Sequence, residues 1–103
     1  MEENMNRKPT HPGEILKELY LVPLNIGVGT FAKSIGISRK TISAVINGHR
    51  RVTPDLAVRF AAALPSTNPQ MWLNLQNAVD IYEAESVFIP DSISPIIPIP
   101  VPV

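Results

Sequence analysis

FAKSIGISRKTISAVING, residues 31 to 48, decides the fold. Ala32 puts a small side chain where two helices would cross, and Gly36 stands where the first must stop with a positive φ that strains any other residue. Ser38 is a preferred N-cap for the second helix. Ile37 before that cap and Ile42 at the fourth helical position form a hydrophobic staple that fixes the angle between the two. The spacing predicts two short helices joined by a tight turn, a helix-turn-helix, over about Val28 to Ile35 and Arg39 to about Ile46. On the second helix Ile42, Val45 and Ile46 define a buried side. At roughly 100° per residue the opposite side is Lys40, Ser43, Ala44 and Asn47, flanked by Arg39 and Thr41. No acidic residue stands on that outward face. A helix of this kind fits a major groove roughly 12 Å wide, where Arg39, Lys40, Thr41, Ser43 and Asn47 are of the types that bond base edges.

The flanking sequence supports this unit. Upstream, Gly27 and Gly29 lack the rest of a nucleotide-binding fingerprint; they let the chain turn into a helix whose first amides, at Val28, Gly29 and Thr30, are left bare for a phosphate. Lys33, Ser38 and the basic loop His49, Arg50 and Arg51 extend the same phosphate surface. Before it, His11-Pro12-Gly13-Glu14 opens helix 1, with Glu14 placed to reach back as in a capping box. Ile15, Leu19 and Val22, with Leu16 beside them, give its buried stripe, and Pro23 closes it. His11 has no metal or catalytic partner within reach in sequence. Downstream, Thr53-Pro54-Asp55 starts helix 4, whose inner stripe is Leu56, Phe60, Ala61 and Leu64, and Ala61 to Ala63 permit close helix packing. Asn68-Pro69 starts helix 5, reaching about Glu85 with Trp72, Leu75, Val79 and Tyr82 as its stripe. Met71, Leu73, Ala78 and Ile81 lie off that stripe. They form either a second contact surface, for which dimerisation is the simplest use, or a cover over the helix 1 side of the same core.

These readings divide the chain into a flexible arm (1–9), a helix-turn-helix domain (10–85) and an extended tail (86–103). The tail, SVFIPDSISPIIPIPVPV, alternates proline with isoleucine and valine, which forbids a helix and favours extended or polyproline II chain. It could lie along its own domain, cross to a second subunit or dock on a partner. A length of 103 residues allows one core. With no cysteine and two histidines, disulfides and thiolate metal sites are excluded. No metal and no cofactor is expected. Nor is an enzyme, because no carboxylate pair or Ser/His/Asp set is present. The polar start, MEENMNRK, and the lack of a long apolar run predict neither a signal peptide nor a membrane span. The net charge is zero but unevenly spread. Lys33, Arg39, Lys40, Arg50, Arg51 and Arg59 against Asp55 leave a net +5 on residues 31–59, the footprint a DNA reader needs.

Together, His11-Pro12-Gly13-Glu14, Ile37-Ser38, Ile46-Asn47-Gly48, Thr53-Pro54 ahead of Ala61-Ala62-Ala63-Leu64, and Asn68-Pro69-Gln70-Met71-Trp72-Leu73-Asn74-Leu75-Gln76 resemble the HigA-type antitoxins, a branch of the Xre/Cro-like repressors. The match covers about residues 9 to 85. The resemblance implies an all-α, compact five-helix lambda-repressor-like domain that forms a homodimer. It implies autorepression through palindromic double-stranded operator DNA and neutralisation of a cognate HigB-type mRNA-cleaving toxin. It places Arg39, Lys40, Thr41 and Ser43 in or beside the major groove, and helix 2 with Arg50 and Arg51 on phosphates. The implied location is the bacterial cytoplasm, at the nucleoid. The proline-rich tail departs from the family pattern. Two other readings remain open: a repressor of the same fold without a toxin, and a protein-interaction module that uses the apolar tail.

Overall fold

The computed structural model describes residues 7–97; the expected flexible arm up to residue 6 and the tail from residue 98 lie outside that span. Five helices follow in order: α1 (Pro12–Ile15, continued by a π-helical turn over Leu16–Leu21), α2 (Val28–Ile35), α3 (Arg39–Ile46), α4 (Pro54–Ala63) and α5 (Pro69–Val87). Among the described residues there is no strand. Prolines fill the first helical position of α1, α4 and α5, where an N–H would lack an intrahelical acceptor anyway. Side chains cap those helices: Thr53 Oγ1 accepts from Leu56 N–H at 3.3 Å and Asn68 Oδ1 from Met71 N–H at 2.8 Å. On α1 the cap is the His11 imidazole, whose Nδ1 accepts from Gly13 N–H at 2.9 Å. The expected capping box is therefore replaced by histidine, and Glu14 is exposed.

α2 ends at Gly36 with φ 73°, and Ile37 N–H reaches back to the Ala32 carbonyl at 3.0 Å. α3 ends in the same way, with Gly48 at φ 78° and His49 N–H on the Ala44 carbonyl at 2.9 Å. These bonds satisfy carbonyls that the last turn leaves open, and only glycine takes the required φ without strain. At the other end of the motif, Gly13 lies against the backbone of α3. A Cβ there would stand 1.8 Å from the Val45 carbonyl oxygen, so glycine is required for α1 to approach α3.

The core is a stack of rings closed by aliphatic side chains. Phe31 of α2 and Phe60 of α4 pack at 5.6 Å between centroids, and Phe60 meets Trp72 of α5 edge-on at 5.2 Å and 82°. Tyr20 completes the row against Trp72 at 5.7 Å. Such tilted and edge-to-face pairs are favoured by the ring quadrupole. Trp72 Nε1 donates to Thr67 Oγ1 at 3.0 Å, so its one polar atom is satisfied. Leu16, Ile42, Val45, Val52 and Ala57 are fully buried around the rings.

Three expectations are corrected. Of the stripe expected for helix 1, Leu16 is fully buried and Ile15 packs on the core, but Leu19 and Val22 are each 59% exposed, and Leu21, 2% exposed, takes their place. The reason is the π turn, in which Val22 N–H bonds to the Lys17 carbonyl at 2.9 Å, five residues back. Widening the turn brings Leu21 beneath Leu16 and rotates Leu19 outward. On α4 the closely packed small residue is Ala57, while Ala62 and Ala63 are exposed beside an open notch with Ser34, Ile35 and Arg59. Arg59 spans that gap, its Nη1 donating to the Ile35 carbonyl at 2.7 Å and its Nε to Asp55 Oδ2 at 3.0 Å. Finally, the segment after residue 85 is not free of helical turns. α5 continues to Val87, and Pro90–Ser92 form one 3₁₀ turn started by a proline. From Phe88 to Ile97 the apolar side chains face solvent, with Ile96 98% and Ile97 74% exposed.

The π register yields a direct test. Leu21→Ala should cost about 2–5 kcal/mol in urea denaturation, as for other buried leucines, whereas Leu19→Ala should stay within about 0.5 kcal/mol. A regular α-helix would reverse the order.

Candidate nucleic-acid interface

The turn of the motif sets up α3. Ser38 Oγ accepts from Thr41 N–H at 3.1 Å and donates to Thr41 Oγ1 at 2.9 Å, closing the first turn. Ile42 and Val45 then bury the inner side completely. This leaves Arg39, Lys40, Ser43, Ala44 and Asn47 lining one open groove of about 470 Å³, together with Val28 from the start of α2. Four of the five residues expected to read base edges are thus brought together. The fifth, Thr41, is not in this groove. It sits at the turn with Gly36, Ile37, Ser38, Arg50, Thr53 and Asp55, its hydroxyl engaged by Ser38.

Of the expected phosphate positions, Val28 lines the groove itself, Ser38 and Arg50 line the turn, and His49 and Arg51 line a separate cleft against α5. Gly27 is the N-cap of α2 and has no side chain to cap it; the first backbone bond of the helix is Phe31 N–H to Gly27 C=O at 3.0 Å. The amides of Val28, Gly29 and Thr30 therefore precede the ladder, at the positive end of the helix dipole. The Arg39 side chain lies over the start of α2: a Cβ on Gly29 would make ordinary contact with its Cδ at 3.6 Å. Lys33, Ser38, His49 and Arg50 are exposed.

Not every cation in this segment is free to meet DNA. Arg59 is bound to Asp55 and the end of α2, and Arg51 pairs with Asp80 of α5. Among the described residues, Lys33, Arg39, Lys40 and Arg50 form no ion pair; Arg39 and Lys40 line the groove, Arg50 lines the turn, and Lys33 is exposed on α2. Of the residues assigned to a second contact surface on α5, Met71 and Leu73 are half-buried against the chain's own core, while Ala78 and Ile81 are exposed.

Sequence reasoning missed Gln76. It is a polar residue only 3% exposed, on the buried side of α5 between Trp72 and Val79. Its Oε1 accepts from the buried Val52 N–H at 2.7 Å and its Nε2 donates to Asp80 Oδ1 at 2.9 Å. The available signal was its spacing, since Trp72, Gln76 and Val79 fall at i, i+4 and i+7. Burial works to raise the pKa of Asp80, but the hydrogen bonds from Gln76 and Arg51 and the charge of Arg51 outweigh it and hold the carboxyl below its usual 3.8. His11 lies in the same cleft as Asp80 and Glu83. Burial pushes its pKa below 6.5, with Lys8 adding to the effect and Glu83, Asp80 and Glu14 opposing it.

A capped helix offering an acid-free polar face, beside a bare helix N-terminus and unpaired cations, defines a DNA-reading helix-turn-helix protein. The chain belongs to the helix-turn-helix family, whose pattern matches residues 17–70, in the Xre-like branch that includes the HigA antitoxins. The HTH-type transcriptional regulator YbaQ of Escherichia coli, itself uncharacterised, is 42% identical over 80 residues, 78% of this chain and 70% of the relative. Antitoxin HigA-1 of Vibrio cholerae is 40% identical over 80 residues, 78% and 74% of the two chains. The structure of the Pseudomonas aeruginosa antitoxin HigA with the higBA promoter is similar with a TM-score of 0.77 at 29% identity, covering 87% of this chain and all of that one. The family is thus one of antitoxins and transcriptional regulators. No helix among the described residues is long and apolar enough to cross a membrane.

The His11 cap makes stability depend on pH. Its Nδ1 accepts a hydrogen bond only when unprotonated, and its folded pKa lies below the usual 6.5. Between those two values the unfolded chain binds more protons, so stability is full above 6.5 and falls as pH drops through the window. His11→Asn, which caps without titrating, should flatten this loss in urea midpoints compared at neutral and mildly acidic pH; an unchanged slope would remove His11 as its source.

Proposed function

We propose that this chain is the antitoxin of a type II toxin-antitoxin pair. In this reading it acts as a homodimer that represses its own operon at a palindromic operator and neutralises a HigB-type mRNA-cleaving toxin by direct binding. The observation that carries the DNA half is the single groove formed by Arg39, Lys40, Ser43, Ala44, Asn47 and Val28. The toxin half is supported by the likeness to HigA antitoxins.

Each group in the groove has a natural base partner: Arg39 or Lys40 for guanine, Asn47 for adenine, Ser43 for either, and Ala44 for the thymine methyl group. Thr41 and Ser38, at the turn with Arg50, join the amides of Val28, Gly29 and Thr30 and the side chains of Lys33 and His49 on phosphates. One short helix reads few base pairs, so specificity requires two copies at half-sites about one helical turn or a multiple apart. The pairing surface is on α5, with Ala78 and Ile81 exposed and the half-buried Met71 and Leu73 contributing what they leave open. A second reading, a repressor without a toxin, is favoured by the likeness to YbaQ. The two are separated by whether a toxin-sized reading frame adjoins the gene.

Two measurements test the proposal. The purified chain should shift a fragment of its own promoter at moderate salt and co-purify with the small basic protein encoded beside it; failure of both overturns it. Within the interface, Arg50→Ala or Lys33→Ala should weaken binding to all sequences alike and flatten the salt dependence by about 0.9 in log–log slope per contact. Lys40→Ala or Ser43→Ala should instead change the preference at one base pair by about 1–3 kcal/mol. Equal loss on every sequence from Lys40→Ala would refute the assignment of base readers.

A further inference from the structure

Arg51 belongs to the basic loop by sequence but to α5 by contact. It lies in a cleft of about 220 Å³ with His11, His49, Gln76, Asp80 and Glu83, and its Nη2 donates to Asp80 Oδ2. The other carboxylate oxygen, Oδ1, accepts from Gln76 Nε2 at 2.9 Å, and Gln76 Oε1 in turn holds the Val52 N–H at 2.7 Å. The carboxylate is therefore aimed at Arg51 by a side chain anchored on the residue next to it. Arg50, one position earlier, borders both this cleft and the turn beside Ser38 and Thr41, yet among the described residues it forms no ion pair. Of the two arginines of one loop, one is held by a carboxylate and the other is not.

We infer that Asp80, positioned by Gln76, withholds Arg51 from DNA and so sets how many cations of the loop reach phosphates. The inference rests on the DNA-binding reading above. The physical reason is that a phosphate and a carboxylate compete for one guanidinium with the same charge. A phosphate that reached for Arg51, which is half exposed, would come to sit beside the ionised Asp80, and the like-charge repulsion offsets the new contact. Gln76 keeps the carboxylate from swinging away to relieve that repulsion. Asp80 is thus a positioning residue acting through Arg51, and the net positive charge read from the loop overstates what the DNA meets.

The test is equilibrium binding of the full chain to a labelled random-sequence duplex over a range of salt, because phosphate contacts are blind to sequence. Asp80→Asn keeps an oxygen that accepts from Gln76 and releases Arg51. Affinity should rise about three- to tenfold at about 0.1 M salt, and the log–log salt slope should steepen by about 0.9, one added phosphate contact. Glu85→Gln removes the same charge from the same helix and should change affinity by less than about twofold, the effect of screened charge alone. Asp80→Asn combined with Arg51→Gln should return affinity and slope to those of the wild type. A gain that survives in the double variant, or no gain from Asp80→Asn while the wild type binds, overturns the inference alone. A wild type that binds no duplex at low salt overturns it together with the DNA-binding reading. Thermal melts establish that the variants are folded, and Asp80→Ser, with the same expected outcomes, replaces Asp80→Asn if that variant is not.

Discussion

One buried amide constrains the whole arrangement. Val52 is fully buried in the irregular connection between α3 and α4, where no helix offers its N–H a partner. Leaving such a group unsatisfied costs about 1–3 kcal/mol. Gln76 removes that cost from α5, and it can do so in one orientation only, because Val52 N–H must be met by the oxygen and the Asp80 carboxylate by the nitrogen. The exit of α3 is thereby fastened to a helix that comes well after the motif in sequence. Helix-turn-helix and fifth helix form one body through this bond and the ring row of Phe31, Phe60, Trp72 and Tyr20.

What could be read in the sequence and what could not follow the range of the signal. The pair α2 and α3 was legible to the residue because its determinants are local: Gly36 and Gly48 at positive φ, Ser38 as a cap and the inward set Ile42 and Val45. So were the proline starts of α4 and α5. Helix 1 was legible as an element but not in its face, because a five-residue register leaves no trace in a pattern judged by a 3.6-residue period. The groove was legible from helical geometry alone, whereas the status of individual cations was not. Arg51 and Asp80 are 29 residues apart, and Arg59 and the Ile35 carbonyl 24. No local rule pairs them. Gln76 is the same case, a polar residue explained by an amide 24 residues away.

The charge distribution takes on a different meaning once folded. A neutral chain with a net +5 on one segment looks like a strongly basic reader with acidic flanks. In space, one acidic flank folds back onto it: Asp80 of α5 pairs with Arg51, while Asp55, already within the segment, pairs with Arg59. What remains without an ion pair among the described residues is Lys33, Arg39, Lys40 and Arg50, two of them lining the polar groove.

The exposed end of the chain has a consequence for how the protein behaves in company. From Val87 to Ile97 the side chains are largely valine, isoleucine and phenylalanine in solvent, a composition that in an ordinary strand would template stacking with other copies. Here Pro90 and Pro95, and in the sequence beyond them Pro98, Pro100 and Pro102, each delete a backbone donor. A continuous ladder cannot propagate along such a segment. The tail keeps the stickiness of a β-strand while being denied its means of polymerising, so it can press side chains against a surface without nucleating a fibre.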